Sequence, residues 1–218
     1  MSKRCSSSWL PLAAGAALML SGCGSLPPVA EPEAESAPDA APAGGAAQPV
    51  PQLIGPMPPN LETLETFDEA LAGMREEDYE GASKLLEQVV QMNPDLVGAH
   101  VNLGIARLRL DDLPGARQAF DDALVLRPGH PVVLNQLAIA ERRAGRFEAA
   151  RGLYREALDA SPGYAPLHLN MGILCDLFLR QADCALSHYA RYVELGGAEA
   201  ERVGLWIVDL KRRTGRDQ

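Results

Sequence analysis

The sequence predicts an all-α protein, a right-handed α-solenoid of about four helical hairpins closed by one further helix. Pro94, Pro128 and Pro162 are spaced 34 residues apart, and a fixed period of this length is typical of solenoid repeats. Within each period, two apolar patterns of helical spacing are separated by a short polar break. One hairpin leaves an apolar face uncovered, so several must stack to bury it. The repeats are predicted over residues 61–197.

The chain begins with the features of a secretory signal over residues 1–22. Lys3 and Arg4 precede a mostly apolar segment from Trp9 to Leu20. This segment is shorter than the roughly 20 residues that a membrane-spanning helix needs. A basic start followed by a short apolar run is the pattern of a signal peptide.

Cys23 follows this segment directly and carries a nucleophilic thiol. Leu20-Ser21-Gly22-Cys23 resembles the lipobox of bacterial lipoproteins. The resemblance implies a thioether lipid on Cys23, cleavage before it and acylation of the new amino terminus, and several acyl chains anchor a protein firmly. Gly24 replaces the Asp that favours inner-membrane retention, so an outer-membrane protein facing the periplasm is implied. The alternative is a soluble secreted protein with an incidental cysteine.

Residues 23–60 predict a disordered tether between the lipid and the folded domain. The segment 24–60 is rich in Pro, Ala and Gly, and it contains ten of the 17 prolines of the chain and neither Lys nor Arg. Such a composition cannot bury a core. A segment of this length reaches between roughly 30 Å as a coil and about 110 Å when extended.

Small and large residues recur at matching positions of each 34-residue unit. The small ones are Ala70, Gly104, Ala138 and Gly172 on the first helices, with Ala82, Ala116 and Ala150 on the second; the large ones are Leu86, Phe120 and Tyr154. Small residues let helix backbones approach closely, and the repeated proline ends each second helix because it lacks a donor. This pattern resembles the tetratricopeptide repeat (TPR), and the resemblance implies a superhelix whose concave face binds peptides.

Four repeats are predicted, at about 63–96, 97–130, 131–164 and 165–197. The first is irregular because Glu69 occupies a position where leucine is usual. The fourth fits only with one residue inserted in its turn, and Gly196-Gly197 replaces the proline as the helix stop.

A capping helix is predicted over residues 198–214. Its apolar residues follow the spacing i, i+3, i+4 and i+7, with charges on the other side; they are Val203, Trp206, Ile207 and Leu210. Such a helix covers the last repeat. A helix lying on a membrane surface is the alternative.

Cys175 and Cys184 fall near the bend of the fourth hairpin. In an oxidising periplasm they form a disulfide candidate that closes a short loop. Free thiols are an alternative. A zinc site with His168 and His188 is another, although the spacing matches no zinc motif and His100 occupies the repeat position of His168.

No catalytic constellation is present: GxSxG, HExxH and phosphate-binding glycine loops are absent. We therefore predict a non-enzyme with no metal and no cofactor beyond the covalent lipid on Cys23. The formal charge is −9, and it becomes −11 once Lys3 and Arg4 are removed with the signal. Such acidity disfavours binding to nucleic acid.

The TPR resemblance implies a peptide-binding groove lined by the first helix of each repeat. Its predicted residues form an amide row, an isoleucine row and an arginine group: Asn102, Gln136 and Asn170; Ile105, Ile139 and Ile173; Arg109, Arg142 and Arg143. Amides can both donate to and accept from a peptide backbone, and arginines can pair with carboxylates. Packing within the repeats is the alternative role for each of these residues.

The general organisation is similar to that of type IV pilus pilotins and tight-adherence pilus lipoproteins. This similarity implies a lipid-anchored periplasmic scaffold that binds a protein segment during assembly of an envelope machine. Pilus or secretion systems are the first candidates for that machine. Accessory roles in cell-wall or transport complexes are the alternative, followed by a zinc-binding or thiol-redox protein. The sequence does not fix the oligomeric state.

Overall fold

The computed structural model of the chain describes residues 60–216, and these residues form helices joined by short turns. The helices are α1 Leu61–Arg75, α2 Tyr79–Met92, α3 Val97–Arg109, α4 Leu113–Leu126, α5 Pro131–Arg143, α6 Phe147–Ala160, α7 Ala165–Ile173, α8 Ala182–Glu194 and α9 Ala200–Arg213. The predicted all-α solenoid is confirmed. The predicted signal, the Cys23 lipid site and the tether before residue 60 lie outside the described residues. Within 60–216, no helix is both long and apolar enough to cross a membrane.

Side-chain caps mark where several of these helices begin. The Asn60 side chain accepts a hydrogen bond from the Thr63 amide at 2.8 Å. The side chains of Asp78 and Asp112, which are one period apart, accept hydrogen bonds from the amides of Gly81 and Gly115 at 2.9 Å and 3.0 Å. A cap of this kind satisfies an amide that has no partner inside the helix, and it stabilises the helix by about 1 kcal/mol.

The turn inside each hairpin is closed by one residue with a positive φ. The four residues and their φ values are Glu77 (63°), Asp111 (62°), Gly145 (75°) and Arg180 (54°). The left-handed conformation costs a residue with a Cβ roughly 1–2 kcal/mol, and glycine avoids this cost. The third hairpin therefore has the least strained turn.

Substituting glycine at the strained turn of the first hairpin should stabilise the protein. We expect Glu77→Gly to raise the free energy of unfolding by about 0.5–1 kcal/mol, because Glu77 is exposed with a φ of 63°. The converse change Gly145→Ala should lower it by a similar amount, since a Cβ there meets nothing within 4 Å and only the backbone is strained. Urea denaturation measures both, and equal stabilities would contradict the argument.

Each hairpin is packed by placing a large side chain of the second helix on a small residue of the first. A Cβ added to Gly104 would lie 2.4 Å from Cε1 of Phe120, and one added to Gly172 would lie 2.5 Å from the Tyr189 ring. Both rings are buried. No side chain larger than a hydrogen fits at either glycine without moving the ring, which explains the glycines at these two positions of the period.

The fourth hairpin contains a π-helical turn, Leu174–Phe178, that continues α7. The positive-φ turn residue comes 35 residues after Gly145, whereas Gly172 keeps the 34-residue spacing from Ala138. The extra residue therefore lies between Gly172 and Arg180, and the wider turn accommodates it. This is the insertion that the sequence required in the fourth repeat.

Helix α9 covers the apolar side of the last hairpin. Val203 and Leu210 are buried against it, and the Trp206 ring lies 5.7 Å from that of Tyr189. Before α9 the chain turns at Gly196, which has a φ of 68°. The opposite stripe of α9 leaves Leu205 exposed. Helix α9 thus buries a stripe that the fourth hairpin would otherwise leave in solvent.

Candidate functional site

The first helices of successive hairpins contact one another and form a continuous surface, which we call the inner face, of α3, α5 and α7. Across it, Nδ2 of Asn170 in α7 donates to Oδ1 of Asn135 in α5 at 2.9 Å. Arg143 in α5 donates to the carbonyl of Leu108 in α3 and, at 2.9 Å, to the Asp111 carboxylate. These contacts set the register between neighbouring repeats.

The nine predicted groove residues lie on α3, α5 and α7, but few of them are open, and Ile139 and Ile173 pack in the core. Five are buried: Asn102, Ile139, Arg142, Asn170 and Ile173. Ile105, Gln136 and Arg143 are half-buried, and Arg109 is exposed. The role of these residues in peptide binding stays a prediction, and the open part of the predicted groove consists of the last four.

The buried amides differ in how well their hydrogen bonds are satisfied. Asn102 donates to the carbonyl of Gly98 on its own helix at 2.8 Å. Asn170 donates across the repeat interface, but its Oδ1 is buried without a partner. A buried unpaired acceptor is costly, and it marks a place where a ligand or water can contribute a donor.

Charged residues at the end of α5 fall into two contrasting environments. Glu141 is 3% exposed, and its carboxylate pairs with Arg146 and, at 3.3 Å, with Arg117. The neighbouring Arg142 is equally buried, yet its Nε and Nη2 have no hydrogen-bond partner. The repeat alignment did not indicate either environment, because position in the repeat does not reveal which charges find partners.

Tyr154 of α6 lies beside Arg142 and is also unsatisfied. Its hydroxyl is buried and makes no hydrogen bond of good geometry, although the Arg142 guanidinium lies close enough to interact with it. Burial raises the pKa of Tyr154 to about 12, and the Arg142 guanidinium offsets part of that increase. The phenol therefore stays protonated at physiological pH and is available as a donor. The repeat pattern of the sequence indicates only a packing role for Tyr154.

Cys175 and Cys184 are joined by a disulfide in the structure, with their Cα atoms 5.9 Å apart. It ties the π-turn to the first turn of α8. Because each sulfur is bonded to the other, neither is a thiolate available to a metal in this state. Among residues 60–216, no cluster of three or more His, Cys, Asp or Glu is placed to hold a metal ion.

His168 and His188 form a second link between α7 and α8. His168 Nε2 lies 3.0 Å from the carbonyl of Pro162, which can only accept, so this nitrogen carries the proton. The two Nδ1 atoms are 3.0 Å apart, which makes His188 the donor to His168 when both rings are neutral. His100 makes the same contact to Pro94 at 2.8 Å, so this part of the arrangement belongs to the repeat.

The histidine pair should make stability depend on pH. Burial, followed by the nearby His168, lowers the pKa of His188 to about 4, whereas an unfolded histidine titrates near 6.5. Between these values the unfolded chain binds a proton that the native state excludes, so stability falls as the pH falls. We expect the free energy of unfolding to fall by about 1 kcal/mol between pH 6.5 and pH 4.5. The effect is this small because the ring is partly solvated.

Denaturant unfolding at both pH values measures this loss. His188→Gln should reduce the difference, while the matched control His100→Gln should keep it. An unchanged pH dependence in His188→Gln would show that other groups cause it.

Comparison with known proteins gives the family of the repeats. Tetratricopeptide-repeat family models match residues 67–131 and 131–174. Residues 67–174 are tetratricopeptide repeats. The TPR resemblance predicted from the 34-residue period is therefore confirmed.

Solved structures share the fold of this TPR domain at low identity. They include MamA 41-end from Desulfovibrio magneticus RS-1 (18% identity, TM-score 0.63, 72% of this chain and 88% of that chain). A thermophilic TPR protein from Thermus thermophilus matches with 22% identity, a TM-score of 0.59, and 71% and 84% coverage. Pseudomonas aeruginosa pilF matches with 19% identity, a TM-score of 0.63, and 70% and 68% coverage. No curated protein matches the sequence significantly.

Proposed function

We propose that the chain is a lipid-anchored periplasmic TPR scaffold that binds a partner protein during the assembly of an envelope machine. TPR domains mediate protein–protein interaction, and this coarse function follows from the repeats themselves. The observation that supports peptide binding is the inner face, whose helices carry the predicted groove residues and on which polar atoms of Asn170 and Arg142 remain without a hydrogen-bond partner. The sequence contains no GxSxG, HExxH or phosphate-binding glycine loop, so the proposal assigns no reaction.

Anchoring and location rest on the amino-terminal sequence. The lipobox-like Leu20-Ser21-Gly22-Cys23 supports a lipid on Cys23, and Gly24 supports the outer membrane. Pilus or secretion machinery is the first candidate system, because the organisation is similar to pilotin lipoproteins and one structural neighbour is pilF. Radiolabelled palmitate should appear on the wild-type chain and be absent from Cys23→Ser, and a labelled Cys23→Ser chain would contradict the anchor.

Site-specific photocrosslinking in intact envelopes tests the partner surface. A photoreactive side chain at Gln136, which is half-buried on the inner face, should capture a partner. The same probe at Val125, which is 79% exposed on α4, is the matched control and should not. Equal capture at both positions would contradict a groove. Identification of the captured protein distinguishes pilus or secretion machinery from cell-wall and transport complexes.

A further inference from the structure

The inner face contains a buried arginine without a counter-charge. Arg142, at the end of α5, is 3% exposed, and its Nε and Nη2 make no hydrogen bond. Within residues 60–216, no carboxylate oxygen lies within the 4.0 Å that defines an ion pair with it. Burying a charge without a partner is costly, so proteins rarely retain one without a compensating role.

The neighbouring carboxylate cannot serve as the partner of Arg142. Glu141 is already paired with Arg146 and Arg117, both from outside α5. Adjacent residues of a helix do not face each other, so Glu141 points away from the Arg142 side chain. Among residues 60–216, no carboxylate is therefore left to neutralise Arg142.

The unpaired atoms have the geometry of a carboxylate receptor. Nε–H and Nη2–H lie on one edge of the planar guanidinium and point the same way, so they match the two oxygens of a carboxylate. The Tyr154 hydroxyl lies beside this group and interacts with it, and its own O–H remains a third donor for a ligand. The Phe178 ring covers one face of the guanidinium, with 5.4 Å between Cζ and the ring centroid.

Phe178 is the side chain that closes one face of the Arg142 guanidinium. It is half-buried and ends the π-turn Leu174–Phe178, and π-turns inside helices occur frequently at functional sites. Its ring also packs against Phe147, with 4.9 Å between centroids, so a ligand that reaches Arg142 from this side has to displace an aromatic contact.

We propose that Arg142, together with the Tyr154 hydroxyl, binds a carboxylate of the partner segment that occupies the inner face. This inference rests on the proposed function and names the chemistry that the partner must present. The carboxylate is either the carboxyl terminus of the partner or an Asp or Glu side chain, and the experiment below separates the two sources.

The first test measures thermal stability. Removing an arginine that only binds a ligand should not lower the melting temperature, whereas removing an arginine that holds the fold together should. Arg142→Met in the full chain keeps the aliphatic stem and removes the unpaired charge, so its melting temperature should equal or exceed that of the wild type. Arg155→Met, at an exposed position on α6, is the control for removing a cation. A melting temperature several degrees below that of the wild type would assign Arg142 to the fold and overturn the site.

The second test measures binding with three pools of fluorescein-labelled random dodecapeptides. The first pool has free carboxyl termini and lacks Asp and Glu, the second has amidated termini and contains Asp and Glu, and the third has no carboxylate. We expect the first or the second pool to bind the wild-type chain at least tenfold more tightly than the third, as a charge-assisted contact implies. Whichever pool binds identifies the source.

The variants complete the binding test. Arg142→Met should abolish the preference, and Arg155→Met should retain it. If the pool without carboxylates binds equally well, or if the preference survives in Arg142→Met, the carboxylate site is wrong while peptide binding on the inner face still stands. If no pool binds the wild-type chain, both the site and the peptide-binding function are wrong.

Discussion

Phe120→Ala is expected to lower the free energy of unfolding by about 3–5 kcal/mol. The side chain is fully buried, and its ring fills the space over Gly104, where even a methyl group would not fit. The ring belongs to a core cluster that includes Val133 and Leu137 of α5, so its loss also weakens the contact between the second and third repeats. Because domains are typically stable by only 5–15 kcal/mol, this one change removes a large fraction of the total.

Urea denaturation of the purified chain measures the effect of Phe120→Ala. Val125→Ala, on the same helix but exposed, should change stability by less than about 0.5 kcal/mol. Gly104→Ala alone should destabilise, because its Cβ pushes against the ring. In the double variant Gly104→Ala, Phe120→Ala that clash is gone, so the loss should be smaller than the sum. Additive losses would contradict the packing argument.

The fold was predictable because its packing is periodic. Each hairpin needs a small residue on its first helix where a large side chain of its second helix packs. Gly104 and Gly172 meet this requirement under the rings of Phe120 and Tyr189, so the repeat alignment was enough to predict them. The insertion in the fourth repeat was also visible as a break in spacing. Its placement in a π-turn was not, since a one-residue insertion in the loop would give the same spacing.

The candidate site was less predictable because burial depends on neighbours that the repeat alignment does not contain. Position in the repeat placed Asn102, Asn170 and Arg142 on the inner face. It did not show that Asn102 bonds to its own helix or that Phe178 covers Arg142. The difference between the paired Glu141 and the unpaired Arg142 arises from long side chains of other helices, and their directions are set only by the packed structure.

Removing the disulfide is expected to lower the free energy of unfolding by about 2–3 kcal/mol, because it constrains a short loop in the unfolded chain. Cys175 and Cys184 are nine positions apart and join the π-turn to α8. The fourth hairpin has only α9 to cover its outer side, so we expect the loss to concentrate there. Cys175→Ala, Cys184→Ala should therefore increase amide exchange in α7, α8 and α9 more than in α3 and α4.

Denaturant unfolding and hydrogen exchange of the double variant measure the size and the location of this loss. Wild-type protein treated with reductant should match the variant, since both lack the cross-link while the fold is otherwise the same. The buried Cys175 position accepts alanine without a new polar group, so a cavity adds only a small further loss. If amide exchange increased equally in all helices, the domain would unfold as one unit. If the double variant were as stable as the wild type, the π-turn and α8 would be held by packing and by the His168–His188 contact alone.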